Sequence, residues 1–240
     1  MLLTVVTLVA GTVQAATGFG FAVISVPFFL IVLDSLSAIQ VNILLNLFNI
    51  MVVAPKVWKL APRPLLRGLS LGAILGLPAG MLAYSYIDIA HAKVAVAVLI
   101  IGFTIHLWIS ARRQSSNRTP GAKGTLFTGA ISGALTSALA MPGPPVLIYL
   151  SHFNLKKEAF RAVNLSLYVI AYTCALGLQA SVGHMSAPTW ILSFVLMPIA
   201  ALGGVLGHWL SPWLSQRLFK ITVFTALIFT SFYMLYATLK

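Results

Sequence analysis

Acidic residues are almost missing from this chain. Of its 240 residues only 3 are Asp or Glu, against 15 Lys and Arg. Catalysis by a paired acid and base needs such groups close together, and Asp34, Asp88 and Glu158 stand far apart between apolar segments. No cluster of Asp, Glu, His and Cys has the spacing of a metal site. We therefore predict a protein that is not an enzyme and that uses no metal or other cofactor.

Cysteine and long polar stretches are scarce as well. The single Cys174 excludes an internal disulfide. Hydrophobic residues make up 60% of the chain and the mean hydropathy is +0.99, more apolar surface than a soluble domain can cover. The net charge of +12 would indicate nucleic acid in a soluble protein, but here the basic residues lie between apolar runs. The composition predicts an all-α integral membrane protein whose partner is the lipid bilayer and not nucleic acid.

Two short segments interrupt apolar runs in the two halves of the chain. In the second half, Met141 is followed by Pro142, Gly143, Pro144 and Pro145, and no helix can continue through them. In the first half the interruption is Thr17-Gly18-Phe19-Gly20. Paired interruptions at corresponding places are the best sequence indication of a transporter's binding site. The alternative is that both are kinks, satisfied by neighbouring helices.

The chain consists of two similar sets of apolar runs. The first set is 2–17, 21–33, 35–54, 68–87 and 94–110, and the second is 124–141, 144–153, 162–182, 189–209 and 221–239. Gly76, Gly80 and Lys93 recur as Gly203, Gly207 and Lys220. We predict a first transmembrane repeat over 1–110, a cytoplasmic linker over 111–123 and a second repeat over 124–240. The first run resembles a secretory signal, but no positive segment precedes it, and we interpret it as retained.

Run length and loop charge predict the topology. A span needs about 20 residues, whereas runs 21–33 and 144–153 cover only about half a membrane. If each broken pair of runs is a re-entrant hairpin, the four basic loops all face the cytoplasm, as the positive-inside rule requires. These loops contain Lys56 to Arg67, Arg112 to Lys123, Lys156 to Arg161, and Arg217 with Lys220. The prediction is an inverted repeat in the bacterial inner membrane, each half a re-entrant helical hairpin plus three transmembrane helices.

In this topology the helices that start at Phe21 and Pro144 point their N-termini at each other near the midplane. Helix N-termini carry unpaired N–H groups and partial positive charge, which suits an anion. Asn42, Asn164 and Tyr168 add polar side chains within the spans, and Gln14 and Ser137 precede the two breaks by about one turn. Asn46, Asn49, Tyr168 and Tyr172 are equally consistent with a binding role and with helix packing. No Lys or Arg is expected at the tips.

The predicted substrate-binding set therefore combines the two breaks and these polar side chains. It consists of Gln14, Thr17, Gly18, Phe19, Gly20, Phe21, Asn42, Ser137, Pro142, Gly143, Pro144, Asn164 and Tyr168. The glycine pairs at 76 and 80 and at 203 and 207, with Gly72, are interpreted as sites of close helix packing.

Three stretches carry a family resemblance. They are QAATGFGFAVISVP at 14–27, GALTSALAMPGPPVLIYL at 133–150 and the shared Val-Asn pairs at 41–42 and 163–164. They resemble the sulfite exporter TauE/SafE family of membrane permeases, over nearly the whole chain. The resemblance implies a small sulfur-containing anion as substrate, such as sulfite, sulfoacetate or another organosulfonate. Met141-Pro142 and Phe19 depart from the usual glycine-rich tips.

The function expected from these observations is efflux of such an anion. All three carboxylates are expected in loops, so no carboxylate relay for protons is predicted, and a monoanion leaves a cell that is negative inside without a partner ion. Two alternatives stay open: a proton-coupled importer that uses His152 or His208, and a non-transporting membrane scaffold. The sequence also leaves open whether the protein forms a homo-oligomer.

Overall fold

The computed structural model describes residues 1–110, 120–182 and 185–211, and all regular structure in these ranges is helical. A single 3₁₀ turn, Trp58–Leu60, follows the third helix. The helices are α1 (Leu2–Thr17), α2 (Phe21–Leu33), α3 (Ser37–Val57), α4 (Arg63–Tyr86), α5 (Ile89–Ser110), α6 (Ala122–Leu139), α7 (Gly143–Ser151), α8 (Lys157–Val182) and α9 (Ala187–Leu210). The predicted all-α class is therefore confirmed.

Five of these helices are long and apolar enough to cross a membrane, among the residues that the structure describes: α3, α4, α5, α8 and α9. Helices α1 and α2 are apolar but shorter, and α7 has 9 residues, which span only about 14 Å. The predicted sixth span, 221–239, and residues 111–119 of the predicted linker lie outside the described ranges. The chain is thus a multi-pass membrane protein.

Helices α4, α5 and α8 begin five residues earlier than predicted, and α5 starts at Ile89 instead of Val94. Helix α4 starts at Arg63 instead of Gly68, and α8 starts at Lys157 instead of Ala162. Lys and Arg are good helix formers, so a helix continues past the apolar run and into the basic segment. The prediction that Glu158 and Arg161 lie in a loop was therefore wrong. The change matters for Arg161, which the first turns of α8 hold against α1.

Two pairs of helices pack backbone to backbone through glycine. A Cβ added at Gly72 would lie 2.1 Å from the carbonyl oxygen of Leu126, and at Gly76 it would lie 1.9 Å from that of Ala130. Helices α4 and α6 are thus in direct backbone contact. The same holds for α9 and α1, where a Cβ at Gly207 would lie 2.0 Å from the carbonyl oxygen of Thr12. These contacts confirm the predicted packing role of the glycines.

Helices α3 and α8 pack against each other and carry several large buried polar residues. Asn42, Asn46 and Asn164 are fully buried, and so are Tyr168 and Tyr172. Large apolar side chains on α4 and α9, such as Leu75 and Phe194, are exposed on the outside of the bundle. This distribution, polar inside and apolar outside, is the one that a bilayer requires.

The carboxylates lie at the surface. Asp34 forms an ion pair with Lys93, and the Asp88 carboxylate contacts the Nδ1 atom of His91 at 2.7 Å. The hydrogen bond from the backbone N–H of His91 lowers the pKa of Asp88. Asp34, Asp88 and Glu158 are all exposed, so none of the three acidic residues lies in the interior of the protein.

Glycine packing predicts opposite effects of one substitution at two helical sites. We expect Gly76→Ala to destabilise the protein by at least about 1–3 kcal/mol, because its methyl group collides with the α6 backbone. The matched control is Gly102→Ala in α5, where no atom lies within 4 Å of the added Cβ. There we expect a gain of about 0.5–1 kcal/mol from helix propensity. Unfolding midpoints in detergent measure both, and equal midpoints would contradict the packing.

Candidate functional site

The first break in the helices is a three-residue turn between α1 and α2. Gly18 has φ 88° and Gly20 has φ 110°, backbone conformations that residues with a side chain rarely adopt. The Thr17 hydroxyl donates to the carbonyl of Val13 at 2.8 Å and accepts from the N–H of Phe19 at 3.3 Å. The glycines and Thr17 therefore build a tight tip, from which α2 starts at Phe21 as predicted.

Arg161 closes this first tip from the opposite half of the chain. Its guanidinium donates to the carbonyl of Ala15 near the end of α1 and also to the Ser211 hydroxyl at 3.4 Å. That hydroxyl in turn donates to the carbonyl of Ala16 at 3.0 Å. An added Cβ at Gly18 would lie 2.9 Å from the Cα of Arg161. The expectation that no Lys or Arg lies at the tips was wrong, because sequence distance hides the approach of α8 to α1.

The second break follows α6, whose C-terminal cap Ala140 adopts the left-handed conformation with φ 57°. Its freed carbonyls are again satisfied by side chains. The Tyr172 hydroxyl donates to the carbonyl of Ala140 at 2.8 Å, and Gln179 Nε2 donates to that of Ser137 at 3.1 Å. The Ser132 hydroxyl donates to the carbonyl of Pro142 at 2.8 Å. The break at Pro142 was predicted, but the tyrosine that supports it was left undecided.

A small cavity lies between the two tips and the middle of α3 and α8. The residues that line it are Gln14, Gly20, Ala22, Val23, Asn46, Met141, Pro142, Gly143, Tyr168 and Tyr172. The space not filled by atoms is about 200 Å³, and that figure includes the part of the cavity that is open to the outside. None of these lining residues is charged. The cavity therefore suits a small ligand held by dipoles.

Five of the predicted site residues line this cavity: Gln14, Gly20, Pro142, Gly143 and Tyr168. The close approach at Gly143 is real, since an added Cβ would lie 3.0 Å from the Tyr168 hydroxyl. Asn46 and Tyr172, for which the sequence left both roles open, also line the cavity. Asn46 lies 4 residues after Asn42 on the same helix, and that spacing was the signal for it.

The remaining predicted residues lie behind the lining or in the tips. Phe21 is buried at the start of α2, Pro144 lies in the first turn of α7, and Thr17, Gly18 and Phe19 form the first tip. Asn42 is bonded to Ser25 on α2, and Asn164 accepts from the Tyr168 hydroxyl at 3.3 Å. These two asparagines hold α2 and Tyr168 in place. Their predicted direct contact with substrate stays a prediction.

Ser137 faces away from the α8 side of its helix. Its hydroxyl donates to the carbonyl of Leu77 on α4 at 2.7 Å, and a Cβ at Gly80 would lie 2.4 Å from that hydroxyl oxygen. Gln14 is different, because its side-chain oxygen accepts from Asn49 at 2.8 Å while the residue lines the cavity. Ser137 thus joins α6 to α4, whereas Gln14 joins α1 and α3 at the cavity wall.

The two helix N-termini at the cavity differ in their donors. The first backbone hydrogen bond of α2 runs from the N–H of Ile24 to the carbonyl of Gly20 at 3.0 Å. The N–H groups of Phe21, Ala22 and Val23 therefore have no acceptor in a preceding turn of the helix. In α7, Pro144 and Pro145 have no N–H to offer. The two tips were predicted to be equivalent, but α2 has the larger number of backbone donors.

The histidines considered for proton transfer lie away from this lining. The His208 ring lies 3.2 Å from a guanidinium nitrogen of Arg161. His152 is exposed at the end of α7, with its Nδ1 atom 2.8 Å from the carbonyl oxygen of Ile148. Neither belongs to the lining of the cavity.

The support that Tyr172 gives to the second tip predicts a loss of stability in Tyr172→Phe. The change leaves the carbonyl of Ala140 buried without a donor, which costs about 1–3 kcal/mol. Tyr86→Phe is the control, because Tyr86 is 87% exposed. Thermal unfolding in detergent should show a lower midpoint for the first variant alone. Two unchanged midpoints would contradict the role of Tyr172.

The contacts of Arg161 predict a similar contrast between two basic residues. Arg161→Gln removes a charged donor from the end of α1, and hydrogen bonds of that kind contribute about 1.5–3 kcal/mol. Lys156→Gln removes the same charge from an exposed neighbour in the chain. We expect only Arg161→Gln to lower the unfolding midpoint. If both variants behave alike, Arg161 acts through charge only and does not hold the tip.

Comparison with known proteins identifies the family of the chain. Residues 3–234 match the family described as sulfite exporter TauE/SafE. No match was found among the curated proteins or among the solved structures. The matched segment contains both tips, the cavity and all the helices of the described ranges. The chain therefore belongs to the sulfite exporter TauE/SafE family of membrane proteins.

Proposed function

We propose that this protein exports sulfite or an organosulfonate such as sulfoacetate across the bacterial inner membrane. The substrate binds in the cavity between the tips, between the N-termini of α2 and α7. The observation that carries the proposal is the meeting of two interrupted helices at a buried, uncharged cavity. Family membership supports the substrate class, and the geometry supports the place.

Backbone and amide donors bind the anion in this proposal. The N–H groups of Phe21, Ala22 and Val23 and the positive end of the α2 dipole face the negative oxygens. Gln14 and Tyr168 complete the wall, with Asn42 and Asn164 behind them holding α2 and Tyr168. A site with dipoles and no fixed positive charge binds an anion weakly enough to release it, as transport requires.

The inverted repeat is part of the proposal and is supported by helix direction. Helices α1 and α2 pack against each other across a three-residue turn, and so do α2 and α3. Five residues, 58–62, then connect α3 to α4, so successive helices reverse direction and α4 runs opposite to α1. Helix α6 runs parallel to α4, because Gly68 contacts Thr125 and Gly80 contacts Ala134. Helices α1 and α6, the first arms of the two hairpins, therefore point in opposite directions. Each packs on a helix of the other half.

Loop charge supports the orientation. Arg63, Arg67, Lys156 and Lys157 lie near one set of helix ends, and Asp34 and Asp88 lie at the other set. The positive-inside rule assigns the basic set to the cytoplasm. The tip of the first hairpin, held by Arg161, then points towards the cytoplasm, and the tip of the second points outwards.

Membrane potential supports efflux over uptake. Moving one negative charge out of a cell that is negative inside gains about 2.3 kcal/mol per 100 mV. A proton-coupled importer needs a titratable group on the path, and the three carboxylates of the chain are exposed at its surface. We therefore propose potential-driven efflux without a coupled ion.

Transport by proteoliposomes tests the proposed function. Radiolabelled sulfite should leave vesicles at a rate that follows an imposed potassium-diffusion potential, with equal pH on both sides. Gly20→Val should reduce the flux at least about tenfold, because it places a branched side chain at φ 110° in the cavity wall. Gly177→Val, where an added Cβ meets no atom within 4 Å, is the control.

Two results would overturn the assignment. Flux that ignores voltage, follows a pH gradient and vanishes in His152→Ala or His208→Ala would favour the proton-coupled importer. Folded protein with no anion flux, tested with sulfite, sulfoacetate and taurine, would favour the scaffold.

Cysteine labelling tests the hairpin topology. In a Cys174→Ser background, a membrane-impermeant maleimide should label Lys123→Cys and Lys156→Cys from the same side, and Asp88→Cys from the other. All three positions are exposed. If positions 123 and 156 react from opposite sides, α6 and α7 together form one broken span, and the inverted repeat is wrong.

A further inference from the structure

The amide group of Asn46 is the polar feature of the cavity that the proposed function leaves unexplained. Asn46 lies on α3, is fully buried and lines the cavity. Its Oδ1 atom has no hydrogen-bond partner. A buried acceptor without a donor is costly, so an unpaired one at a binding site indicates that the ligand supplies the donor.

Tyr172 determines which way this amide points. The single hydroxyl proton of Tyr172 goes to the carbonyl of Ala140 at 2.8 Å. The Tyr172 oxygen must then accept, and its partner at 2.6 Å is the Nδ2 atom of Asn46. The reversed amide would set Oδ1 against an oxygen that has no proton to give. The carbonyl of Ala140, freed where α6 ends, thus orients Asn46 through the Tyr172 hydroxyl.

Other buried amide oxygens without partners do not share this position. Asn49 Oδ1 has no partner either, but it lies where α1 and α9 pack against α3. An added Cβ would lie 2.7 Å from this oxygen at Gly204 and 3.2 Å from it at Gly11. Gln179 also has an unpartnered oxygen, but it does not belong to the lining of the cavity. Among these three amides, only that of Asn46 is both unpaired and at the cavity wall.

We propose, resting on the anion site described above, that Asn46 makes the cavity selective for a singly charged oxyanion that carries its own hydrogen-bond donor. The charged oxygens of the ligand accept from the backbone N–H groups at the start of α2, and its donor group bonds to Asn46 Oδ1. For sulfite the preferred species is then hydrogensulfite, the protonated monoanion. The sulfite dianion and sulfoacetate, which is also a dianion at neutral pH, have no donor for Asn46 and meet no positive side chain among the lining residues, so hydrogensulfite fits best among the substrates proposed above.

Two isosteric monoanions test the proposal. Sulfamate and methanesulfonate have the same charge and nearly the same shape. Sulfamate has an NH₂ group, which can donate a hydrogen bond, where methanesulfonate has a CH₃ group, which cannot. We expect sulfamate to inhibit sulfite flux in proteoliposomes at a concentration at least about tenfold lower than methanesulfonate. A ratio of that size follows because bound methanesulfonate leaves the buried acceptor Asn46 Oδ1 without a donor. This comparison uses the unaltered protein, so it does not depend on whether a variant folds.

Two variants connect the preference to Asn46. Asn46→Leu, of similar size without the acceptor, should bring the two inhibitory concentrations within about twofold of each other. Ser166→Ala removes a buried, unpartnered hydroxyl oxygen of α8 that does not line the cavity, and it should keep the tenfold ratio. A preference that persists in Asn46→Leu would overturn the proposal.

The outcomes also separate this inference from the proposed function. Equal inhibition of the unaltered protein by both anions would mean that water satisfies Asn46; the anion site would stand, and the inference would be wrong. If sulfite is not transported and neither anion binds in equilibrium dialysis, both the proposed function and this inference fail.

Discussion

Every other feature of this structure depends on how a broken helix satisfies its backbone inside a membrane. Hydrocarbon offers no hydrogen bonds, so the carbonyls freed where α1 and α6 end must find donors within the protein. Helix α8 supplies three of them: Arg161 for Ala15, Tyr172 for Ala140 and Gln179 for Ser137. One helix thus supports both tips, and the space between the tips becomes a cavity with a few polar groups in a largely apolar wall.

Close packing of the hairpin arms makes these contacts possible. The glycines of α4 and α9 bring α6 and α1 within backbone contact, which fixes the depth to which each arm enters the bundle. A deeper or shallower arm would move the tip away from its donors on α8. The side chains that stabilise the breaks also position the site, since the Tyr172 hydroxyl both donates to the carbonyl of Ala140 and orients Asn46.

Local features of the sequence predicted most of this architecture, and distant contacts were what it could not predict. Proline and glycine act on their own backbone, so the limits of α1 and α2 and the break at Pro142 could be read residue by residue. Arg161 looked like one more loop cation, because nothing near it in sequence shows that α1 ends beside it. Ala140 gave no sign of its left-handed conformation. The difference between Asn46 at the cavity and Ser137 at the α4 contact depends on which helix each one faces.

The central claim is that a small oxyanion binds between the N-termini of α2 and α7, held by backbone dipoles. Selenite has the shape of sulfite and contains an anomalous scatterer, so a crystal grown with selenite tests the claim most directly. We expect an anomalous peak at the cavity, within hydrogen-bond reach of the N–H groups at the start of α2 and close to Gly143 and Asn46. A peak at Arg161 or the exposed lysines with an empty cavity would contradict it.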